Sequence, residues 1–97
     1  MIKIELAAYE SKVSGGKLIK VRVSFDEEIR KVEISGDFFI HPEEAIGSLE
    51  EALVGLRLPA TEEEVRSRLE TVIDALGTKL VGFSSLDLAH SLLEATR

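Results

Sequence analysis

The sequence predicts an α+β domain, a small antiparallel sheet of about three strands followed by three helices packed on one face of it. Two periodicities predict it: apolar residues recur every second position up to Ile34, and at helical spacing from Pro42 onward. The third observation is order. All the strand patterns precede all the helix patterns, which suits helices gathered on one face of an antiparallel sheet rather than parallel crossovers. Ninety-seven residues, 44% of them hydrophobic, supply one core and therefore one domain, residues 1–97.

Ile2, Ile4 and Leu6 alternate with Lys3 and Glu5, so the first strand is half-buried with those three residues inward, and it ends near Val13. Ser14, Gly15 and Gly16 signal a turn, because glycine reaches positive φ without a steric penalty. In the second strand Ile19, Val21, Val23 and Phe25 face the core, and Lys20, Arg22 and Ser24 face water. Asp26 to Glu28 form a polar connection to a third strand carrying Ile29, Val32 and Ile34, its antiparallel hairpin partner. Gly36 breaks that pattern and marks a bulge or a sharp exit from the sheet.

Pro42 opens the first helix, with Glu43 and Glu44 at its positive end and Ala45, Ile46, Leu49, Ala52 and Leu53 on the inward stripe. Gly55 stops it, and Leu56 to Pro59 form an extended link. Thr61 and Glu64 have capping-box spacing for a second helix that buries Val65, Leu69, Val72, Ile73 and Leu76 and ends at Gly77. Thr78 to Phe83 fit either a loop or a brief extra strand. The third helix starts at Ser84 or Ser85, with Asp87 in its first turn and Leu86, Ala89, Leu92 and Leu93 as its apolar stripe.

Cysteine is absent, which removes disulfides, thiolate metal sites and thiol nucleophiles, and the two histidines, His41 and His90, are too far apart in sequence to suggest a metal site. Asn and Gln are absent too while 31% of residues are charged, a composition expected of a thermophilic source. Residues 1–37 hold seven Lys/Arg and seven Asp/Glu; residues 38–97 hold five and eleven, the whole of the net charge of −6. An acidic helical half argues against nucleic acid as a partner, since phosphate neutralisation needs clustered cations, and leaves the N-terminal half as the only place for a phosphate or anionic substrate. No apolar run approaches the roughly 18 residues of a membrane span, and the start MIKIELAAYE lacks a signal peptide's apolar block, so a cytoplasmic location is expected.

Three stretches invite functional readings. Gly15, Gly16 and Lys17 are either a plain hairpin turn or an anion-binding nest with a nearby cation, although the spacing of a true phosphate loop is missing. Asp37 and His41 are four apart and read as an acid/base pair only if the chain brings them together; otherwise Asp37 accepts turn hydrogen bonds and His41 caps the helix or lies in solvent. Phe38, Phe39 and Ile40 are consecutive, so an extended chain exposes at least one of them, either as cover for sheet and helix or as a protein contact. His90 sits beside the apolar stripe, at the surface or its boundary.

YESKVSGGKLIKV (Tyr9–Val21), ISGDFF (Ile34–Phe39) and HPEEAIGSLEEALVG (His41–Gly55) together resemble the C-terminal accessory domain of lipoate-protein ligases. That family's pattern is K-V-x-G-G-K-L-I-x-V, a hairpin, G-D-F-F, then an acidic helix ending A-L-x-G, and the likeness runs from about Tyr9 to Leu93. The chain starts with Met1 and carries neither the R-R-x-x-G-G loop nor the adenylate-contacting lysine of the catalytic half, so it resembles the kind made as a separate accessory subunit.

The resemblance implies a chain that is non-catalytic alone and forms a heterodimer with a catalytic ligase subunit. It would be required when ATP and lipoate form lipoyl-adenylate, and less so for transfer to a lysine of lipoyl-acceptor domain proteins. No cofactor is expected on this chain alone; ATP, Mg and lipoate would occupy a site shared with the catalytic subunit. Gly15, Gly16 and Lys17 are then the adenylate-proximal candidates, and Asp37, Phe38, Phe39 and His41 the partner-contact candidates. The alternative is a non-catalytic interaction module that only stabilises a partner.

Overall fold

The structure, a computed structural model, describes residues 3–13 and 17–97. In chain order the elements are β1 (Glu5–Lys12), β2 (Leu18–Phe25), β3 (Ile29–Gly36), β4 (Phe39–His41), α1 (Ala45–Leu53), α2 (Glu62–Leu76), β5 (Lys79–Val81) and α3 (Ser85–Ala95). The first three strands form an antiparallel sheet in the order β1-β2-β3, while β4 and β5 pair antiparallel as a separate ribbon. The expected α+β fold is present, and the Thr78–Phe83 segment contributes a strand.

β2 is the spine of the sheet. Ile19, Val21, Val23 and Phe25 are buried on the face that meets the helices, as their alternation predicts. On β3, Ile29 and Val32 are both buried although three residues apart, because the pairing with β2 shifts register between Ser24 and Phe25 and absorbs one residue there. The connecting turn is held by Asp26, whose carboxylate accepts from the Glu28 N–H at 3.0 Å and from Arg30 Nε and Nη2 at 3.1 and 3.0 Å. The bonded Arg30 guanidinium, reinforced by the Glu28 N–H, holds the Asp26 carboxyl below the usual carboxylate range.

β1 has the expected period but the opposite phase. Its register with β2 sets Ala7 against Val23 and Tyr9 against Val21, so those residues face the core while Ile4 and Leu6 are 52% and 80% exposed. A one-residue shift in phase moves every side chain to the other face. The physical reason lies in α3, which packs on β1 and β2 and presents a small residue, Ser91, to β1. Ser11 Oγ comes to 3.3 Å from Ser91 Oγ, and this close approach suits Ala7 and Ser11 better than Leu6.

α1 packs on β3, α3 on β1 and β2, and α2 against both helices. α1 starts later than Pro42: the carbonyls of Pro42, Glu43 and Glu44 accept from the N–H groups of Ala45, Ile46 and Gly47 in a tighter preceding turn, so Glu43 and Glu44 stand outside the first helical turn. α2 has the predicted capping box, Thr61 Oγ1 and Glu64 Oε1 each accepting the other residue's N–H at 3.1 Å, and ends at Gly77 with φ 60°. Val65 and Leu69 are buried, but Val72 and Ile73 are only half-buried and Leu76 is exposed, because α2 rests on helices rather than on the sheet. Ser84 and Asp87 form a second capping box that fixes the phase of α3, which buries Leu88, Ala89, Leu92 and Ala95 and leaves Leu86 at the surface, not in the expected stripe.

The two edges of the three-stranded sheet differ. On β3 the extended link lies alongside, with Ile29 N–H bonded to Leu56 O at 2.9 Å, Gly55 N–H to Ile29 O at 2.7 Å and Leu58 N–H to Glu27 O at 2.9 Å. Further along, Glu50 Oε2 of α1 accepts the Ile34 N–H at 2.7 Å. No described strand pairs with the outer edge of β1.

Candidate functional site

At the end of β3 the chain must leave the sheet and start a new ribbon, and residues Gly36 to Phe39 do this. Gly36 has φ 156°, and a Cβ there would collide with the carbonyl oxygen of Leu18 and lie 2.7 Å from the Phe38 ring, so only glycine fits. Asp37 then clamps the start of β2: its N–H donates to Leu18 O at 3.1 Å and its carboxylate accepts the Leu18 N–H. Phe38 turns inward onto Phe83, ring centroids 4.1 Å apart at a 37° tilt.

Phe39 begins β4 opposite Val81 of β5, followed by Ile40 opposite Leu80 and His41 opposite Lys79. Strand alternation sorts these six residues between two faces. Ile40 and Leu80 pack against the core, whereas Phe39 is 74% and Val81 59% exposed, with His41 and Lys79 exposed beside them. Just past β5, Gly82 has φ 96°, and a Cβ there would come 3.1 Å from Lys17 Cγ, so the aliphatic stem of Lys17 lies over this glycine.

The structure thus brings Lys17, Asp37, Phe38 and Phe39 to one end of the molecule, through the contacts Asp37 with Leu18, Phe38 with Phe83 and Lys17 with Gly82. Gly15 and Gly16 lie outside the described residues. His41 shares the ribbon face but does not act with Asp37, whose carboxylate is turned to the Leu18 N–H. His90 is on the far helix, its Nε2 2.6 Å from Glu62 Oε2.

Val81, Lys79 and Gly82 were not singled out by sequence reasoning. The one available signal was the apolar pair Leu80 and Val81 between Gly77 and Gly82, which suggests a strand but not its partner. A separate open groove between the end of β1 and α3 is lined by Lys12 and Arg97 together with Glu62, Asp87 and Glu94, a mixture of signs that selects neither an anion nor a cation. Among the described residues there is no group of three or more potential metal ligands, and no helix is long and apolar enough to cross a membrane.

This α+β scaffold brings Lys17 and the Gly36–Phe39 corner to one end, and fold and motif together define a domain similar to the accessory subunit of a two-part lipoate-protein ligase. In particular, the chain is similar, with TM-score 0.69 and 27% identity, to a chain from the structural analysis of an archaeal lipoylation system, a bi-partite lipoate protein ligase and its E2 lipoyl domain from Thermoplasma acidophilum. The match covers 95% of this chain and 97% of that one. No protein-family model and no curated protein sequence matches the chain significantly.

Proposed function

We propose that this chain is the accessory subunit of a two-chain lipoate-protein ligase in the cytoplasm of a thermophile, pairing with a catalytic subunit as a heterodimer. It is required with that subunit for ATP-dependent activation of lipoate to lipoyl-adenylate, before transfer to a lysine of a lipoyl-acceptor domain. The observation that carries this reading is the end-to-end likeness to a chain of the bipartite ligase system, at 27% identity over 95% of the sequence. ATP, Mg and lipoate belong to the site shared with the catalytic subunit.

The contribution of this chain is to cover that site, exclude water and add positive charge near the ATP phosphates. Lys17 suits the last of these roles, because its stem is supported by Gly82, its side chain is exposed, and it directly follows the Gly15–Gly16 pair. Gly36 and Asp37 are scaffold residues, since the first permits the exit from β3 and the second holds the start of β2.

Reconstitution tests the proposal. The catalytic chain from the same genome is mixed with this one, and lipoate-dependent exchange of pyrophosphate into ATP is followed. Activation that needs both chains supports an accessory subunit, whereas a stable complex with unaltered activation reduces the protein to an interaction module. In the reconstituted pair, Lys17→Ala slows lipoyl-adenylate formation about tenfold or more and spares transfer from preformed lipoyl-adenylate; unchanged activation removes Lys17 from the mechanism.

A further inference from the structure

We infer that the outer face of the β4–β5 ribbon is the docking surface for the catalytic subunit, with Phe39 and Val81 as its apolar anchors, Lys79 and Lys17 as its cationic margin, and His41 as a polar neighbour. The inference rests on the assembly proposed above and adds to it a place and a chemistry.

Phe39 and Val81 are cross-strand partners, so their exposed side chains form one patch. A phenylalanine 74% exposed beside a valine 59% exposed leaves apolar area in water that burial against a partner would remove. The strand does not need Phe39 to stay folded, because Ile40 and Leu80 on the inner face already tie the ribbon to the core.

Charge identifies the occupant. Residues 38–97 contain eleven acids and five bases, yet the exposed ribbon face carries His41 and Lys79 and no carboxylate, with Lys17 lying over Gly82 at its end. The acids that flank β4 in sequence are Asp37, whose carboxylate is turned to the Leu18 N–H, and Glu43 and Glu44, which follow Pro42 beyond the ribbon. An apolar pocket rimmed by carboxylates on the catalytic subunit complements such a patch. A second copy of this chain does not, since a symmetric contact would set Lys79 and Lys17 against the same cations.

Four variants with the catalytic subunit test this: Phe39→Ser, Val81→Ser, Lys79→Glu and, on the outer face of the large sheet, Leu6→Ser. Phe39→Ser raises Kd about 30-fold or more with its melting temperature unchanged, and Val81→Ser raises it about fivefold. Lys79→Glu weakens binding and flattens its dependence on salt, while Leu6→Ser stays within about twofold of wild type. A complex indifferent to Phe39, or one lost with Leu6→Ser instead, overturns the docking face and leaves the proposed function standing. A dimer of the isolated chain that Phe39→Ser dissolves, seen by sedimentation, overturns it in favour of self-association. Failure of the wild-type chain to bind the catalytic subunit at all overturns the proposed assembly, and the docking face with it.

Discussion

The three-stranded sheet and the β4–β5 ribbon treat their outward faces in opposite ways. On the sheet the outward residues include charged side chains paired at the surface, Lys20 with Glu10 and Lys31 with Glu33, each at 3.5 Å. On the ribbon the outward residues include a cross-strand Phe39–Val81 pair, exposed and adjacent. A strand face meant for water carries charge, and individual surface ion pairs there contribute little to stability. Large apolar side chains kept on the outside of a second, smaller β-element point to contact rather than to folding. Ile4 and Leu6 qualify the contrast, since both are exposed, but they follow one another along the chain, and across the sheet Leu6 faces Ser24 instead of a large apolar residue.

The joint between the two elements gives the largest expected effect. Gly36→Ala must push a methyl group into the Leu18 carbonyl and the Phe38 ring, and is expected to cost about 3 kcal/mol, read as a lower urea midpoint. A variant as stable as wild type would show that ribbon and sheet are not tied at this point. Next comes the sealed edge of the sheet. Glu50→Ala strands the Ile34 N–H and is expected to cost about 1–2 kcal/mol, with most of the loss recovered in Glu50→Gln, which keeps an acceptor oxygen. Equal losses in both variants would show that packing, not the hydrogen bond, matters there.

The smallest effect belongs to the β2–β3 turn, remote from the ribbon. Asp26 titrates below the ordinary carboxylate value because Arg30 binds its ionised form, so its contribution is present above about pH 4 and fades as pH falls through the depressed value. Wild type is therefore expected to exceed Asp26→Asn in stability near neutral pH, with the gap closing in acid, as urea titrations across pH would record. A gap that persists unchanged in acid would assign the turn's stability to something other than this charge.

How much was legible follows from how local each signal is. The Thr61–Glu64 capping box and the helix stop at Gly77 involve neighbours in sequence, and both stand in the structure as the sequence predicts. The face of β2 was legible because four apolar residues alternate without a break. On β1 the Ala7–Ala8 pair interrupts the alternation, and the phase is decided by register with β2 and by the closeness of α3, neither of which the sequence states. β4 is only three residues, two of them in the continuous apolar run Phe38–Ile40, so its period is hidden, and its partner lies beyond two intervening helices.

The candidate site divides in the same way. GGK and GDFF stood out as motifs, and the clamp of Asp37 on Leu18 joins them. Their neighbours Lys79, Val81 and Gly82 arrive only through the pairing of β4 with β5, which is non-local. Asp37 and His41 are near in sequence, yet the acid is committed to a backbone N–H and the imidazole lies out along the ribbon.

The unequal edges of the large sheet also set a rule for growth. The outer side of β3 is occupied by Gly55, Leu56 and the Glu50 carboxylate, while no described strand pairs with the outer side of β1. In polymer language the three-stranded sheet is monofunctional with respect to strand addition. Two copies joined through β1 would present the covered edge of β3 at either extremity, so end-to-end stacking of the three-stranded sheets stops at a pair.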